Sequence, residues 1–258
     1  KPIVLEFISD DNKVHKLLFK YDKEAAYKEV TAYNVLTNIN NICKNTVGEM
    51  EQYNLVAIND NVIIIEWIND MTAIGSPGNI LMVSEGIASY DKFIQDKLRI
   101  NNLMYLYLRN RYPDPNDYYS FKLKFTKTWA ISCIVGSVIG LSDRHTQNIQ
   151  FLNDGRVVHI DYGYAFHAGL DLPCQEIVPF RLTNNFTSAF GLFKENGPFF
   201  AYALDTLNAL YKYKKIVSII FNSYSSTIND KKNTFKLRII YTYDQAMKML
   251  FPNNLEIL

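Results

Sequence analysis

Two short polar stretches of the sequence hold side chains whose types and spacing could do chemistry. The first contains Asp143, His145 and Asn148, and the second contains Asp161. Amide and carboxylate oxygens such as those of Asn148 and Asp161 suit an Mg²⁺ ion that bridges nucleotide phosphates. Asp143 could accept or orient the proton of an attacking hydroxyl, and His145 could stabilise charge on the transferred group or assist proton transfer. The set indicates phosphoryl transfer, which requires positioning and metal more than covalent chemistry from the protein.

A predicted hairpin brings the two candidate metal ligands together. Residues 149–152 and 157–160 are apolar runs, and the Asp-Gly pair at 154–155 between them is a strong hairpin signal. Pairing of the two runs places Asn148, just before the first strand, beside Asp161, just after the second.

The remaining elements divide into a small mixed part and a larger helical part. Strands are predicted over 3–7, 14–20, 53–58 and 62–68, and a helix over 23–43. Further helices are predicted over 88–111, 121–140, 196–212, 213–227 and 240–250. The turn-rich residues 72–79 are the best hinge between the two parts. We therefore expect an α+β fold with a small β-rich N-lobe, a larger mostly helical C-lobe and a ligand-binding cleft between them.

The composition excludes several other classes of protein. The 258 residues carry 27 Lys and Arg against 26 Asp and Glu, a net charge of +1. This balance argues against a dedicated nucleic-acid-binding domain and against a polybasic membrane-binding one. Cys43, Cys133 and Cys174 are far apart, so neither a disulfide framework nor a structural zinc site is expected. No apolar run approaches the ~20 residues of a membrane span.

Residues 140–148 and 159–163 resemble the catalytic loop and the metal-binding loop of the phosphatidylinositol 3/4-kinase and PI3K-related kinase superfamily. Their Asp-Arg-His order is the reverse of the His-Arg-Asp order in ordinary protein kinases. Residues 63–69, 112–120 and 176–185 are similar to the protein-kinase branch of that superfamily, and most of all to the ATR-type checkpoint kinases. The resemblance implies a bilobal protein-kinase-like fold, one catalytic domain over 1–258 with its N-lobe at about 1–72, and use of ATP with Mg²⁺ or Mn²⁺.

The resemblance also implies roles for residues of the N-lobe. Trp67 stands where the family's hinge tryptophan packs over the adenine ring, and the backbone around Glu66 and Ile68 would bond the adenine edge; a plain core aromatic is the alternative for Trp67. Lys20 stands where the family's lysine contacts nucleotide phosphates, with an exposed strand lysine as the alternative.

The acidic partner of Lys20 is less well marked. Glu29 is our candidate and Glu24 the substitute, although an ungapped alignment places Lys28 at that position. With Asp143 and His145 as catalytic residues and Asn148 and Asp161 as metal ligands, these residues complete the predicted site.

The sequence departs from the family pattern in three places. Ser142 replaces the usual glycine before Asp143, which would be strained if that position required a positive φ. Tyr162 replaces the usual phenylalanine of the metal-binding loop. The first residues resemble those that follow the family's phosphate-binding loop, so that loop is expected to be absent here or lost by truncation.

His159 is predicted to be a structural histidine with its hydrogen bonds satisfied.

The activation segment, residues 161–180, bears on the substrate. It contains no Lys or Arg and two acids after Asp161, whereas a phosphoinositide headgroup requires cations there. We therefore expect a Ser/Thr hydroxyl of a protein substrate, with regulatory partner proteins and no direct binding of nucleic acid. A phosphatidylinositol 3- or 4-kinase and a catalytically weak, nucleotide-binding pseudokinase are the alternatives. Family analogy implies an intracellular location, nuclear or cytoplasmic. Arg181, just past the activation segment, is predicted to form a buried ion pair.

Overall fold

The computed structural model of the protein describes residues 2–23, 26–76, 102–173, 175–227 and 233–250. Its N-terminal part is an antiparallel sheet in the order β1-β2-β4-β3. The strands are β1 (Ile3–Ile8), β2 (Val14–Tyr21), β3 (Leu55–Asn59) and β4 (Val62–Glu66). Helix α1 (Ala26–Lys44) packs on this sheet. The helix buries Ala32, Val35, Leu36 and Ile39, which recur at the three- and four-residue spacing of one helix face.

The C-terminal part is built around one long buried helix. The helices that follow α1 are α2 (Leu103–Arg111), α3 (Pro115–Val138), α4 (Asn184–Thr187), α5 (Pro198–Lys212), α6 (Lys214–Thr227) and α7 (Asn233–Leu250). The side chain of Asp114 caps α3 by accepting hydrogen bonds from the backbone N–H groups of Asn116 and Asp117. Since α3 is apolar around most of its circumference, other elements surround it, as expected for a central helix.

A second, three-stranded antiparallel sheet packs against α3. Its strands β5 (Thr72–Ala73), β6 (Ile149–Phe151) and β7 (Val157–His159) follow the order β5-β6-β7. The predicted hairpin is present, and Gly155 in its turn has a φ of 97°. A Cβ on Gly155 would lie 2.5 Å from the carbonyl oxygen of Phe121 in α3, so glycine is required for this close approach.

The elements enclose two clusters of buried apolar side chains. The first joins the sheet-facing side of α1 to the C-terminal half of α3 and to α5, α6 and α7. The second surrounds Trp129 and Phe125 of α3, together with Phe151, Phe186 and Phe190. Because the first cluster contains residues of both lobes, the lobes share part of their core.

The structure agrees with the predicted α+β, bilobal architecture: a small strand-rich part precedes a larger helical part. Residues 72–73 of the expected hinge already pair with β6 of the C-lobe. Residues 77–79 of that hinge, residues 88–101 of a predicted helix, and Glu24 and Cys174 lie outside the described residues. Helix α7 begins at Asn233, seven positions before the predicted start. Among the helices of the described residues, none is both long and apolar enough to cross a membrane.

Candidate active site

A cleft of about 800 Å³ opens between the N-lobe sheet and the metal-binding loop. Its lining contains six of the nine predicted site residues: Lys20, Glu29, Glu66, Trp67, Ile68 and Asp161. The other three, Asp143, His145 and Asn148, lie outside this lining, on the catalytic loop that precedes β6. The predicted nucleotide-binding and catalytic residues thus form two adjoining groups joined through Asp161.

Lys20 lies at the centre of the first group. Its Nζ atom is 2.8 Å from Oε2 of Glu29 and 3.3 Å from Oδ1 of Asp161. Glu29 is almost completely buried on α1, whereas the Asp161 carboxylate is 44% exposed. The lysine side chain therefore connects a strand, a helix and the metal-binding loop, which come from three distant parts of the sequence.

Burial and charge act in opposite directions on this group. Burial acts to lower the pKa of Lys20, but the nearby charges of Glu29 and Asp161 outweigh it, so that the pKa is raised and the ammonium stays protonated. Burial raises the pKa of the Glu29 carboxyl, and the attraction of Lys20 opposes that rise. A protonated lysine beside a partly exposed carboxylate suits the binding of phosphate and metal in the cleft.

The residues after β4 present an aromatic face and a backbone donor to the cleft. The Trp67 side chain is 41% exposed, which differs from a core aromatic. The Glu66 carboxylate accepts hydrogen bonds from the backbone N–H and the side-chain amide of Asn54, at 2.9 and 2.8 Å. The N–H groups of Glu66 and Trp67 bond to the carbonyl oxygens of Asn54 and Lys16. The Ile68 N–H, by contrast, has no hydrogen-bond partner within the described residues, so it is available to a ligand.

Hydrogen bonds within the catalytic loop fix the second group. The Asn148 side-chain amide donates to the backbone carbonyl of Asp143 at 2.9 Å and to its carboxylate Oδ2 at 3.3 Å. The His145 Nε2 atom lies 4.0 Å from the same carboxylate oxygen. Because His145 Nδ1 accepts a hydrogen bond from the Gln147 N–H, a neutral ring carries its proton on Nε2, the nitrogen that faces Asp143.

The donor set around Asn148 and Asp161 fits a magnesium ion. The backbone carbonyl of Asn148 accepts a hydrogen bond from the N–H of Ile160, the residue before Asp161, so the two candidate ligands lie on adjacent ends of the hairpin. The Asn148 amide nitrogen faces Asp143, which leaves its oxygen available as a metal ligand. Mg²⁺ is held by one or two protein oxygens together with water and phosphate. The described residues contain no cluster of three or more His, Cys, Asp or Glu side chains that could hold a metal by itself.

Arg144 has a structural role that the sequence analysis did not assign. Its guanidinium is buried and donates to four backbone carbonyls of the two loops, those of Ser142 (2.7 Å), Asn148 (3.4 Å), Ile160 (2.9 Å) and Asp161 (2.6 Å). Burial lowers the pKa of this group, and the oxygens around it offset that cost. The Asp-Arg-His motif marked the residue, but its burial depends on the folded hairpin.

The structure tests three of the expectations about residues near the catalytic and metal-binding loops. Ser142 does not have a positive φ, whereas Gly140 (59°) and Asp143 (57°) do, so the expected strain at Ser142 is absent. Tyr162 is fully buried and stacks on Tyr53 at a ring separation of 5.3 Å and an angle of 6°. His159 is buried as predicted, but neither of its ring nitrogens has a hydrogen-bond partner in the described part of the chain, so its bonds are not satisfied.

One acidic residue of the activation segment pairs with a basic residue of a C-lobe helix. Asp171 forms an ion pair with Arg238 of α7, so this arginine does not supply a free cation to the segment. Arg181 was predicted to form a buried ion pair. In the described residues no carboxylate pairs with it, and its guanidinium instead lies 5.8 Å from the ring centroid of Phe186.

The sequence of the chain matches a known family. The sequence profile described as phosphatidylinositol 3- and 4-kinase matches residues 29–227. The chain belongs to this family. That match confirms the family resemblance predicted from the sequence.

Curated relatives place the chain near the protein-kinase branch. A segment of 98 residues, 38% of the chain, is 40% identical to the serine/threonine-protein kinase MEC1 of Kluyveromyces lactis and covers 4% of that protein. A longer match, over 77% of the chain, is 30% identical to the serine/threonine-protein kinase TEL1 of Saccharomyces cerevisiae and covers 8% of it. The chain is thus similar to a small part of much longer proteins.

Solved structures confirm the fold. The chain superposes on the structure entitled "FAT and kinase domain of CtTel1" with a TM-score of 0.77 and 23% identity, covering 98% of this chain and 20% of the other. At this identity the likeness supports the bilobal kinase fold alone.

Proposed function

We propose that this chain is the catalytic domain of an ATP- and Mg²⁺-dependent Ser/Thr protein kinase of the PI3K-related branch, with residues 1–72 as N-lobe and 73–258 as C-lobe. The observation that carries the proposal is the contact of Lys20 with both Glu29 and Asp161 in the lining of the cleft. A cation on a strand, oriented by a buried acid and joined to a loop carboxylate, suits the triphosphate and metal of ATP. Similarity to the MEC1 and TEL1 kinases supports the same assignment.

In this proposal the N-lobe residues bind the nucleotide. Trp67 packs against the adenine ring, and the backbone near Glu66 and Ile68 bonds its edge, with the Ile68 N–H as donor. Lys20 acts as a point charge on the phosphates, and Glu29 fixes the direction of its side chain.

The catalytic loop acts on the acceptor hydroxyl. The hydroxyl oxygen attacks the γ-phosphorus, its bond to phosphorus forms as the bond to the leaving ADP oxygen breaks, and Asp143 orients the hydroxyl and receives its proton. His145 stabilises charge on the transferred group. Asn148 and Asp161 would hold Mg²⁺ or Mn²⁺, which neutralises phosphate charge when it is bound.

The substrate we favour is a protein Ser/Thr hydroxyl. The activation segment contributes no free cation, because it has no Lys or Arg and Asp171 neutralises the neighbouring Arg238. An inositol phosphate headgroup would lack charge partners along this segment. Regulatory partner proteins and an intracellular place of action, in the nucleus or the cytoplasm, belong to the same proposal.

A transfer assay with radiolabelled ATP tests the function. The full-length protein is offered a mixture of Ser/Thr-containing proteins and, separately, vesicles that contain phosphoinositides. We expect label on protein and none on lipid. Label on phosphoinositide alone would replace the proposal with a lipid kinase, and nucleotide binding without transfer to either substrate would favour a pseudokinase.

Substitution of a candidate metal ligand tests the metal site in the same assay. We expect Asp161→Ala to abolish metal-dependent ATP turnover, because it removes a metal ligand and one partner of Lys20. An Asp205→Asn variant, which changes an exposed acid on α5, should retain full turnover as the control. Undiminished turnover in Asp161→Ala would show that the metal lies elsewhere.

A further inference from the structure

The carboxylate of Glu176 joins the activation segment to the catalytic loop. Its Oε2 atom accepts a hydrogen bond from the backbone N–H of Asp143 at 2.7 Å, and its Oε1 atom accepts one from the N–H of Arg144 at 3.2 Å. Both oxygens of one side chain therefore bond two successive amides of a loop more than 30 positions earlier in the sequence.

The loop needs such support at Asp143. The backbone there has a φ of 57°, in the left-handed region that side-chain-bearing residues avoid. Such a conformation persists where the surrounding structure fixes it. Glu176 holds the N–H of Asp143, and Asn148 holds its carbonyl oxygen, so the residue is fixed on both sides.

The backbone of the activation segment lies close enough to the catalytic loop for the Glu176 side chain to reach it. The Glu176 N–H donates to the carbonyl of Gly169 at 3.3 Å, which folds the segment back on itself. A Cβ on Gly169 would lie 2.5 Å from Cβ of Ser142 and 3.3 Å from Oε2 of Glu176. The glycine thus allows the segment to lie directly on the residue before Asp143.

We propose that Glu176 is a positioning residue that sets the conformation of Asp143 and so links the state of the activation segment to catalysis. This inference rests on the proposed role of Asp143 in accepting the hydroxyl proton. Glu176 is not among the residues that line the nucleotide cleft, so it acts through the catalytic loop and not on ATP.

Steady-state kinetics of the full-length protein test the role. In Glu176→Ala both amides lose their acceptor, and we expect kcat to fall by roughly 10- to 100-fold, since small displacements of a catalytic group have effects of that size. Glu176→Gln keeps the shape but offers one acceptor oxygen, so its kcat should be intermediate. The KM for ATP should change by less than about twofold in both variants, because ground-state nucleotide binding is untouched. The matched control is Asp205→Asn on α5, which should equal the wild type.

Amide hydrogen exchange gives a second readout that does not depend on activity. The N–H groups of Asp143 and Arg144 should exchange faster in Glu176→Ala than in the wild type, with the exchange of α3 unchanged. An unchanged kcat in Glu176→Ala, or unchanged exchange at these two amides, would overturn the inference. A wild-type protein without any transfer would instead contradict the proposed function, and the exchange measurement would still decide whether Glu176 holds the loop.

Discussion

The ammonium group of Lys20 contacts two carboxylates that lie 9 and 141 positions away along the chain. Neither contact could be predicted from the local sequence around Lys20. Glu29 is buried and contacts Lys20, whereas Lys28 is partly exposed beside Tyr27, and this contact supports Glu29 as the candidate partner. A buried acid beside a lysine is a feature of the folded helix face and not of the linear motif.

His159 should give the protein a pH-dependent stability. Burial, followed by the charge of Arg144, lowers its pKa from 6.5 to about 3, so the folded protein keeps the ring neutral. As the pH falls below 6.5, His159 becomes protonated in the unfolded chain but stays neutral in the folded one. The free energy of unfolding therefore decreases. We expect a loss of about 2 kcal/mol between pH 7 and pH 5 from this group.

Denaturant unfolding at several pH values measures this effect. The variant His159→Leu, which removes a ring without hydrogen-bond partners, should lack this part of the slope, whereas His15→Gln, at an exposed position, should keep it. Equal slopes for the wild type and His159→Leu would mean that the imidazole is protonated in the folded protein.

Arg144 should contribute to stability as well as to the site. Replacing it by methionine leaves buried carbonyls of both loops without donors, and we expect a loss of about 3 kcal/mol or more of unfolding free energy. The control is Arg109→Met, an exposed arginine on α2, which should change stability by less than about 0.5 kcal/mol. A similar small change for both variants, measured by chemical denaturation, would show that water replaces the guanidinium.

At the scale of elements, the β6–β7 hairpin determines the geometry of the site because it brings Asn148 and Asp161 together. Its turn is constrained by Gly155, where the φ of 97° and the 2.5 Å approach to the Phe121 carbonyl both exclude a side chain. The hairpin thus depends on contact with α3 as well as on its own turn.

Glycine substitutions test this dependence. Gly155→Ala should lower the free energy of unfolding by about 1–3 kcal/mol, because of backbone strain and the clash with α3. Gly136→Ala, inside α3, should be neutral or stabilising by up to about 1 kcal/mol, since the new methyl group would meet only ordinary contacts at 3.7 Å. Thermal unfolding of the two variants compares them directly, and equal midpoints would argue against a constrained turn.

The elements also show what the sequence could predict. Strands β1, β2, β6 and β7 were located because alternation, apolar runs and turn residues are local signals. The early start of α7 was missed because residues 233–239 mix polar and apolar positions, and tertiary packing makes the helix: Phe235 contacts the rings of Tyr27 and Phe166. The buried position of Arg144 and the contact of Glu176 with the catalytic loop depend on the meeting of distant segments, which no local pattern encodes.

At the scale of the whole molecule, side-chain contacts couple the two lobes at several points. Lys20 meets Asp161, Glu51 forms an ion pair with Arg156 at 2.8 Å, and Tyr53 stacks on Tyr162. Each contact links the N-lobe to the hairpin or to the metal-binding loop that follows it. These contacts tie the position of the metal-binding loop to that of the N-lobe.

The net charge of +1 is consistent with the proposed protein substrate. Neither the overall charge nor the activation segment offers a basic surface for an anionic headgroup, and Arg238 is already paired with Asp171. The neutral charge balance thus supports a protein substrate at the scale of the molecule, in agreement with the segment itself.

A structure of the full-length protein with Mg²⁺ and a non-hydrolysable ATP analogue tests the central claim most directly. We predict the adenine against Trp67, the phosphates beside Lys20, and one metal ion that contacts both Asn148 and Asp161. A nucleotide bound outside this cleft, or a metal that contacts neither residue, would contradict the assignment of the site.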